Sequence, residues 1–64
     1  DGLFIYRKLI PQAYERLQDK GSLFLEIGYD QGGSVSLIMR EAGFNGVTVA
    51  QDLAGNDRVV YGRK

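Results

Sequence analysis

Glu26 is the residue whose type and setting most invite chemistry, because it stands inside the apolar run Leu23-Phe24-Leu25-Glu26-Ile27-Gly28. A carboxylate among apolar neighbours is costly unless it is paired or protonated. Glu26 is therefore expected to be largely buried. It either orients a substrate or a nearby loop, or serves as a structural partner for a helix N-terminus or a cation, Arg58 being the first candidate. Tyr29, Asp30 and Gln31 follow directly, and then Gly32-Gly33. The stretch Asp30-Gln31-Gly32-Gly33 could hold an anion on the free N–H groups of a helix start. A strand-to-helix turn wants these residue types for capping alone, and capping is the expectation here. It matches neither G-x-G-x-x-G nor G-x-x-x-x-G-K-[ST]. Tyr29, beside the turn, is a candidate for stacking on a ligand, whereas Tyr6 and Tyr61 read as residues of the core or its rim.

Other chemistries are missing from the chain. It has no His and no Cys, so neither an imidazole base nor a thiol nucleophile is available. No carboxylates fall at metal-ligand spacing, and Ser22, Ser34 and Ser36 have no base beside them. No catalytic, cofactor-binding or metal-binding residue is expected. Glu26, Tyr29, Asp30, Gln31 and Arg58 are the substrate-side or structural candidates.

The elements that must position these residues follow from periodicity. Leu3, Tyr6, Leu9, Ile10, Ala13 and Leu17 recur at three- and four-residue steps, which predicts an amphipathic helix over 3–17. Asp1 is placed to cap its start, Gly21 to stop it as the C′ residue, and Pro11 to kink it. Residues 23–28 are too short for a helix and apolar on both faces, which predicts a strand covered on both sides. Val35, Ile38, Met39 and Ala42 share a helical face over 31–42, with Gly43 as the stop. Asn45-Gly46 turns the chain, and Val47 and Val49 alternate with Thr48 and Gln51 in a second strand. Residues 53–57 make a hairpin loop, and Arg58-Val59-Val60-Tyr61 a third strand antiparallel to the second.

The order is helix, strand, helix, strand, strand, in one unit over 1–64. A right-handed crossover through the second helix makes the first two strands parallel. An open α/β sheet binds ligands outside the carboxyl ends of its strands, where the turn 28–33 lies.

At 64 residues the chain is small, and chains of this size bury only about 60% of the surface they expose when unfolded. Without Cys or His, support from a disulfide or a metal is unavailable and a partner chain is the remaining source. Eight basic residues balance eight acidic ones, and the basic blocks are only Arg7-Lys8 and Arg63-Lys64. That argues against direct nucleic-acid binding. No apolar run approaches the ~20 residues that cross a bilayer, and no signal segment is visible. A cytoplasmic protein without membrane contact is expected.

Two blocks, Leu25-Glu26-Ile27-Gly28-Tyr29-Asp30-Gln31-Gly32 and Asp52-Leu53-Ala54-Gly55-Asn56-Asp57-Arg58-Val59-Val60-Tyr61-Gly62-Arg63, preceded by Asp1-Gly2-Leu3 and Tyr6-Arg7, resemble the C-terminal part of the HemK family. Those are S-adenosylmethionine-dependent methyltransferases acting on the glutamine of the Gly-Gly-Gln motif in peptide-chain release factors. The resemblance implies the tail of a Rossmann-like methyltransferase domain. Its three-stranded mixed sheet has the last strand central and antiparallel, and residues 26–31 form the turn after the fifth strand of the whole sheet. It also implies that the family's glycine-rich cofactor loop and Asn-Pro-Pro-Tyr motif lie upstream of Asp1. The piece by itself is then expected to be inert, to bind no cofactor, and to self-associate, either edge to edge through its first strand or through the Leu3, Tyr6 and Ile10 helix face. A non-enzymatic α/β interaction module, and the tail of a methyltransferase with another substrate, are the alternatives.

Overall fold

The computed structural model describes residues 2–64. It contains α1 (Leu3–Arg16), β1 (Ser22–Glu26), α2 (Gly32–Ala42), β2 (Asn45–Gln51) and β3 (Asp57–Arg63). The capping role expected of Asp1 lies outside the described residues.

The sheet order is β1-β3-β2, as the crossover and hairpin require. Both of its ladders are antiparallel. The expected mixed sheet is thus corrected. β1 and β2 do run in the same direction, but β3 lies between them and no parallel ladder forms.

α1 and α2 pack on each other, and α2 covers β2 and β3. The molecule measures 33 × 24 × 14 Å, and its short dimension leaves room for one sheet and one helical layer. Register fixes what each face carries. Leu25 lies opposite Val60, which lies opposite Val49, and this row faces the helices. Phe24, Tyr61 and Thr48 form the next row and face away from them, as do Glu26, Val59 and Ala50. The core is accordingly Ile10, Leu25, Ile27, Val35, Met39, Phe44 and Val60. β1 therefore alternates instead of being covered on both sides: Leu23 and Leu25 lie under the helices, while Ser22, Phe24 and Glu26 are exposed on the other face.

α1 continues through Pro11 as one helix. It stops at Arg16, short of the expected end: Leu17 is already extended at φ −72°, ψ 145°. Gly21 does not act as the C′ residue, and the left-handed position falls on Lys20 at φ 69°. The carbonyls at the end of α1 are met from far away in the chain. The Lys64 ammonium donates to the Leu17 carbonyl at 2.9 Å and to that of Glu15 at 3.5 Å, and lies 4.9 Å from the centre of the Tyr14 ring.

α2 ends as expected. Gly43 is left-handed at φ 113°, and its N–H bonds back to Arg40 at 3.0 Å. A Cβ there would come within 2.9 Å of the Tyr14 ring, which packs edge-on to Phe44 at 5.1 Å. Both the backbone angle and the close ring require glycine. Asn45-Gly46 does not turn the chain outside a strand. Gly46, at φ 62°, is absorbed into β2 as a register irregularity between Asn45 and Thr48. Among the described residues no helix is long and apolar enough to cross a membrane.

Candidate functional site at the carboxyl end of the first strand

The chain leaves β1 at Glu26, and the Ile27 N–H still donates to the Arg58 carbonyl at 2.9 Å. The turn 28–31 then closes on itself. The Gly28 N–H donates to Gln31 Oε1 at 2.8 Å and the Gln31 N–H returns to the Gly28 carbonyl at 3.0 Å. Gln31 is the N-cap of α2, but its side chain does not cap. The capping expected of this turn is corrected here, because the amide is spent on the turn itself.

α1 also begins at this place. The Tyr6 hydroxyl donates to the Glu26 carbonyl at 2.9 Å, and a Cβ on Gly2 would lie 2.8 Å from Gln31 Nε2. The starts of both helices thus bracket one turn. Asp57 approaches the same region from β3: its carboxylate packs so close to Gly32 that a Cβ there could not fit. Placed against the first turn of α2, that negative charge complements the helix dipole. Gln51 Nε2 donates to its other oxygen at 3.1 Å.

The structure separates two of the expected site residues. Glu26 is exposed and Arg58 is not its partner. Glu26 lies opposite Val59 on the open face of the sheet, whereas Arg58 is the extra residue where the register of β3 against β2 shifts between Ala50↔Val59 and Gln51↔Asp57, and its guanidinium goes to Asp52. The two strand ends are neighbours, but the Arg58 guanidinium is taken by Asp52 and the Glu26 side chain stays exposed. Tyr29 and Asp30 are exposed at the tip of the turn and Gln31 is half-buried within it. Tyr29, Asp30 and Gln31 therefore share the turn, while Glu26 is tied to α1 through its carbonyl, which accepts the Tyr6 hydroxyl.

Arg58 belongs to a second constellation, which sequence reasoning missed. Its guanidinium donates to Asp52 Oδ2 at 3.1 Å. Asp52 Oδ1 accepts the N–H groups of Ala54 at 2.9 Å and Asn56 at 3.0 Å. The backbone bond from Asn56 holds the carboxyl below its usual range, with Arg58 and Ala54 adding to it against some desolvation. An aspartate opening a Gly-Asn loop was the available signal. Among the described residues no group of three His, Cys, Asp or Glu side chains could hold a metal ion.

The open face of the sheet carries a stacked pair, Phe24 and Tyr61, with ring centres 5.1 Å apart and planes 20° from parallel. These two line a shallow groove with Ser22, Asn45, Gly62 and Arg63.

In open α/β sheets, ligands bind outside the carboxyl ends of the strands, which is where this turn lies relative to β1. Comparison with known proteins narrows this. The chain is 52% identical over its whole length to a release factor glutamine methyltransferase of Clostridium botulinum, and it spans 23% of that protein. It is 48% identical over 98% of its length to the protein of the same name from Neisseria gonorrhoeae, and 44% identical over 98% to that of Pseudomonas aeruginosa. These matches fall in the C-terminal region of the relatives, so the chain is a counterpart of the C-terminal region of the release factor glutamine methyltransferases. It spans about a quarter of their length. No family model matches, and no solved structure matches.

Proposed function

We propose that the chain is the C-terminal part of a cytoplasmic, Rossmann-like methyltransferase domain that methylates the glutamine side chain of the Gly-Gly-Gln motif in peptide-chain release factors. The observation that carries this reading is the 52% identity over the full chain to a protein of that name. S-adenosylmethionine would supply an electrophilic methyl group, whose transfer to an amide nitrogen depends chiefly on positioning and desolvation. The cofactor loop and the amide-holding motif belong, on this reading, to the upstream part of the protein. The residues of this chain build the far side of the crevice. Gln31 fixes the turn, Tyr6 ties α1 to the end of β1, and Tyr29 and Asp30 stand exposed toward the docking release factor.

The intact protein is expected to transfer a labelled methyl group from S-adenosylmethionine to a peptide containing Gly-Gly-Gln, and not to the same peptide with alanine at the glutamine. Label on neither peptide, or on both equally, would sink the assignment. The 64-residue chain is expected to show no cofactor binding by calorimetry and to associate with itself in light scattering across a dilution series. Micromolar cofactor binding by the short chain would contradict the division of labour.

A further inference from the structure

The hairpin between β2 and β3 is built more firmly than a chain reversal needs, since a tight turn of two residues is enough to join antiparallel strands. Residues 52–56 close on two backbone bonds, from the Asp52 N–H to the Asn56 carbonyl at 2.9 Å and from the Gly55 N–H to the Asp52 carbonyl at 3.0 Å. The Asp52 carboxylate accepts three more, from the N–H groups of Ala54 at 2.9 Å and Asn56 at 3.0 Å and from the Arg58 guanidinium at 3.1 Å. What this frame holds up is Leu53, which is fully exposed. A single apolar side chain in water is ordinary on a protein surface. On a loop that is already ordered it has a further property: little entropy is lost when a partner covers it.

Topology sets where this tip stands. β1 and β2 are both antiparallel to β3 and so run in the same direction. The loop after β2 and the turn 28–31 after β1 therefore lie at one end of the sheet, the end where open α/β sheets take their ligands. Asp57, at the foot of the hairpin, packs against Gly32 at the start of α2, so the hairpin and the turn meet on the same helix start. With β3 between their strands, they leave the sheet roughly 10 Å apart, two spacings of about 4.8 Å.

That separation selects the partner. An extended tripeptide spans only about 10 Å, so a Gly-Gly-Gln segment held in a crevice bounded by the turn does not extend over the hairpin as well. A folded protein that presents this segment lies across both.

We propose that Leu53, at the tip of the hairpin, is a docking contact for the body of the release factor, separate from the crevice that takes the glutamine, and that it inserts into an apolar recess on the factor's surface. The proposal rests on the reading of the chain as part of a release factor methyltransferase and adds to it a contact by which a folded substrate is told from a free peptide.

Two substrates given to the intact protein separate docking from chemistry: the folded release factor and a short peptide carrying Gly-Gly-Gln. Leu53→Ser removes the apolar side chain without adding charge. It is expected to weaken calorimetric binding of the release factor at least about tenfold, on the scale of burying one leucine side chain. KM for the release factor should rise in step with kcat unchanged, the pattern of a contact made equally in the ground and transition states. Transfer to the short peptide should keep its original rate. Unchanged binding of the release factor would overturn the proposal, and so would an unsubstituted protein that binds no release factor. Equal losses on factor and peptide would also overturn it, since Leu53 would then serve the enzyme's own fold. The two readings fail separately. Methylation of the release factor with binding indifferent to Leu53→Ser refutes the hairpin contact alone, and binding that depends on Leu53 without methyl transfer refutes the enzyme alone.

Discussion

Leu25 and Phe24 are neighbours on β1 and meet opposite surroundings. Leu25 is 9% exposed within the core under the helices, and Phe24 is 64% exposed on the bare face, resting on Tyr61. Hydrophobicity does not distinguish them; the position of the helices does. Because α1 and α2 take the same side, one face of the sheet is finished by the chain itself. The other carries Phe24, Val59 and Tyr61 with nothing above them among the described residues. Soluble proteins seldom leave adjoining apolar side chains bare without a use for them. The contrast teaches that the placement of the helices, and not the hydrophobicity of the strand residues, decides which face of the sheet is buried.

The largest effect should come from the finished face. Leu25→Ala is expected to lower the unfolding free energy of this chain by about 2–4 kcal/mol, through lost burial plus the cavity left behind. That is a large share of what so short a chain can hold. Urea titration would measure it. Phe24→Ala, one residue away, should cost no more than about 0.5–1.5 kcal/mol in the same titration, the worth of an aromatic pair at an exposed site. Equal losses from the two substitutions would break the comparison and mean that the bare face is covered in solution. In the intact protein the Phe24→Ala cost should exceed its value in the short chain if another element covers that face.

Strand order was legible because a long crossover followed by a tight hairpin leaves few unknotted arrangements. α2 was legible because Val35, Ile38, Met39 and Ala42 mark one side and Gly43 its end. What escaped depended on partners distant in sequence. The carbonyls at the end of α1 are met by Lys64, 47 residues beyond Leu17. Glu26 and Arg58 were matched by proximity, but a register irregularity at Arg58 and the nearby Asp52 carboxylate, neither visible in the order of residues, take the guanidinium elsewhere. At the candidate site the cluster of Tyr29, Asp30 and Gln31 could be read from the strand-to-helix grammar. The inward fold of the Gln31 amide onto Gly28 could not, since it depends on turn geometry that the neighbouring glycines leave open.

The smallest predicted effect concerns the hairpin that Arg58 serves instead of the carboxyl-end turn. Asp52 holds this loop through two backbone N–H groups and the Arg58 guanidinium, and its carboxyl titrates below the ordinary value, chiefly because of the bond from Asn56. A carboxyl whose folded pKa is depressed contributes stability that is complete above its unfolded pKa, near 3.9. That contribution is lost as the pH falls through the folded value. The loop should therefore hold at neutral pH and loosen only in acid, and the Ala54 and Asn56 amide resonances should shift together with the Asp52 carboxyl in an NMR titration. Arg58→Ala should raise the Asp52 midpoint only part of the way to its ordinary value, because the backbone donors remain. Complete restoration would mean that the ion pair, not the backbone, organises the loop. Arg58 would then matter to this end of the sheet as much as it was expected to matter to Glu26.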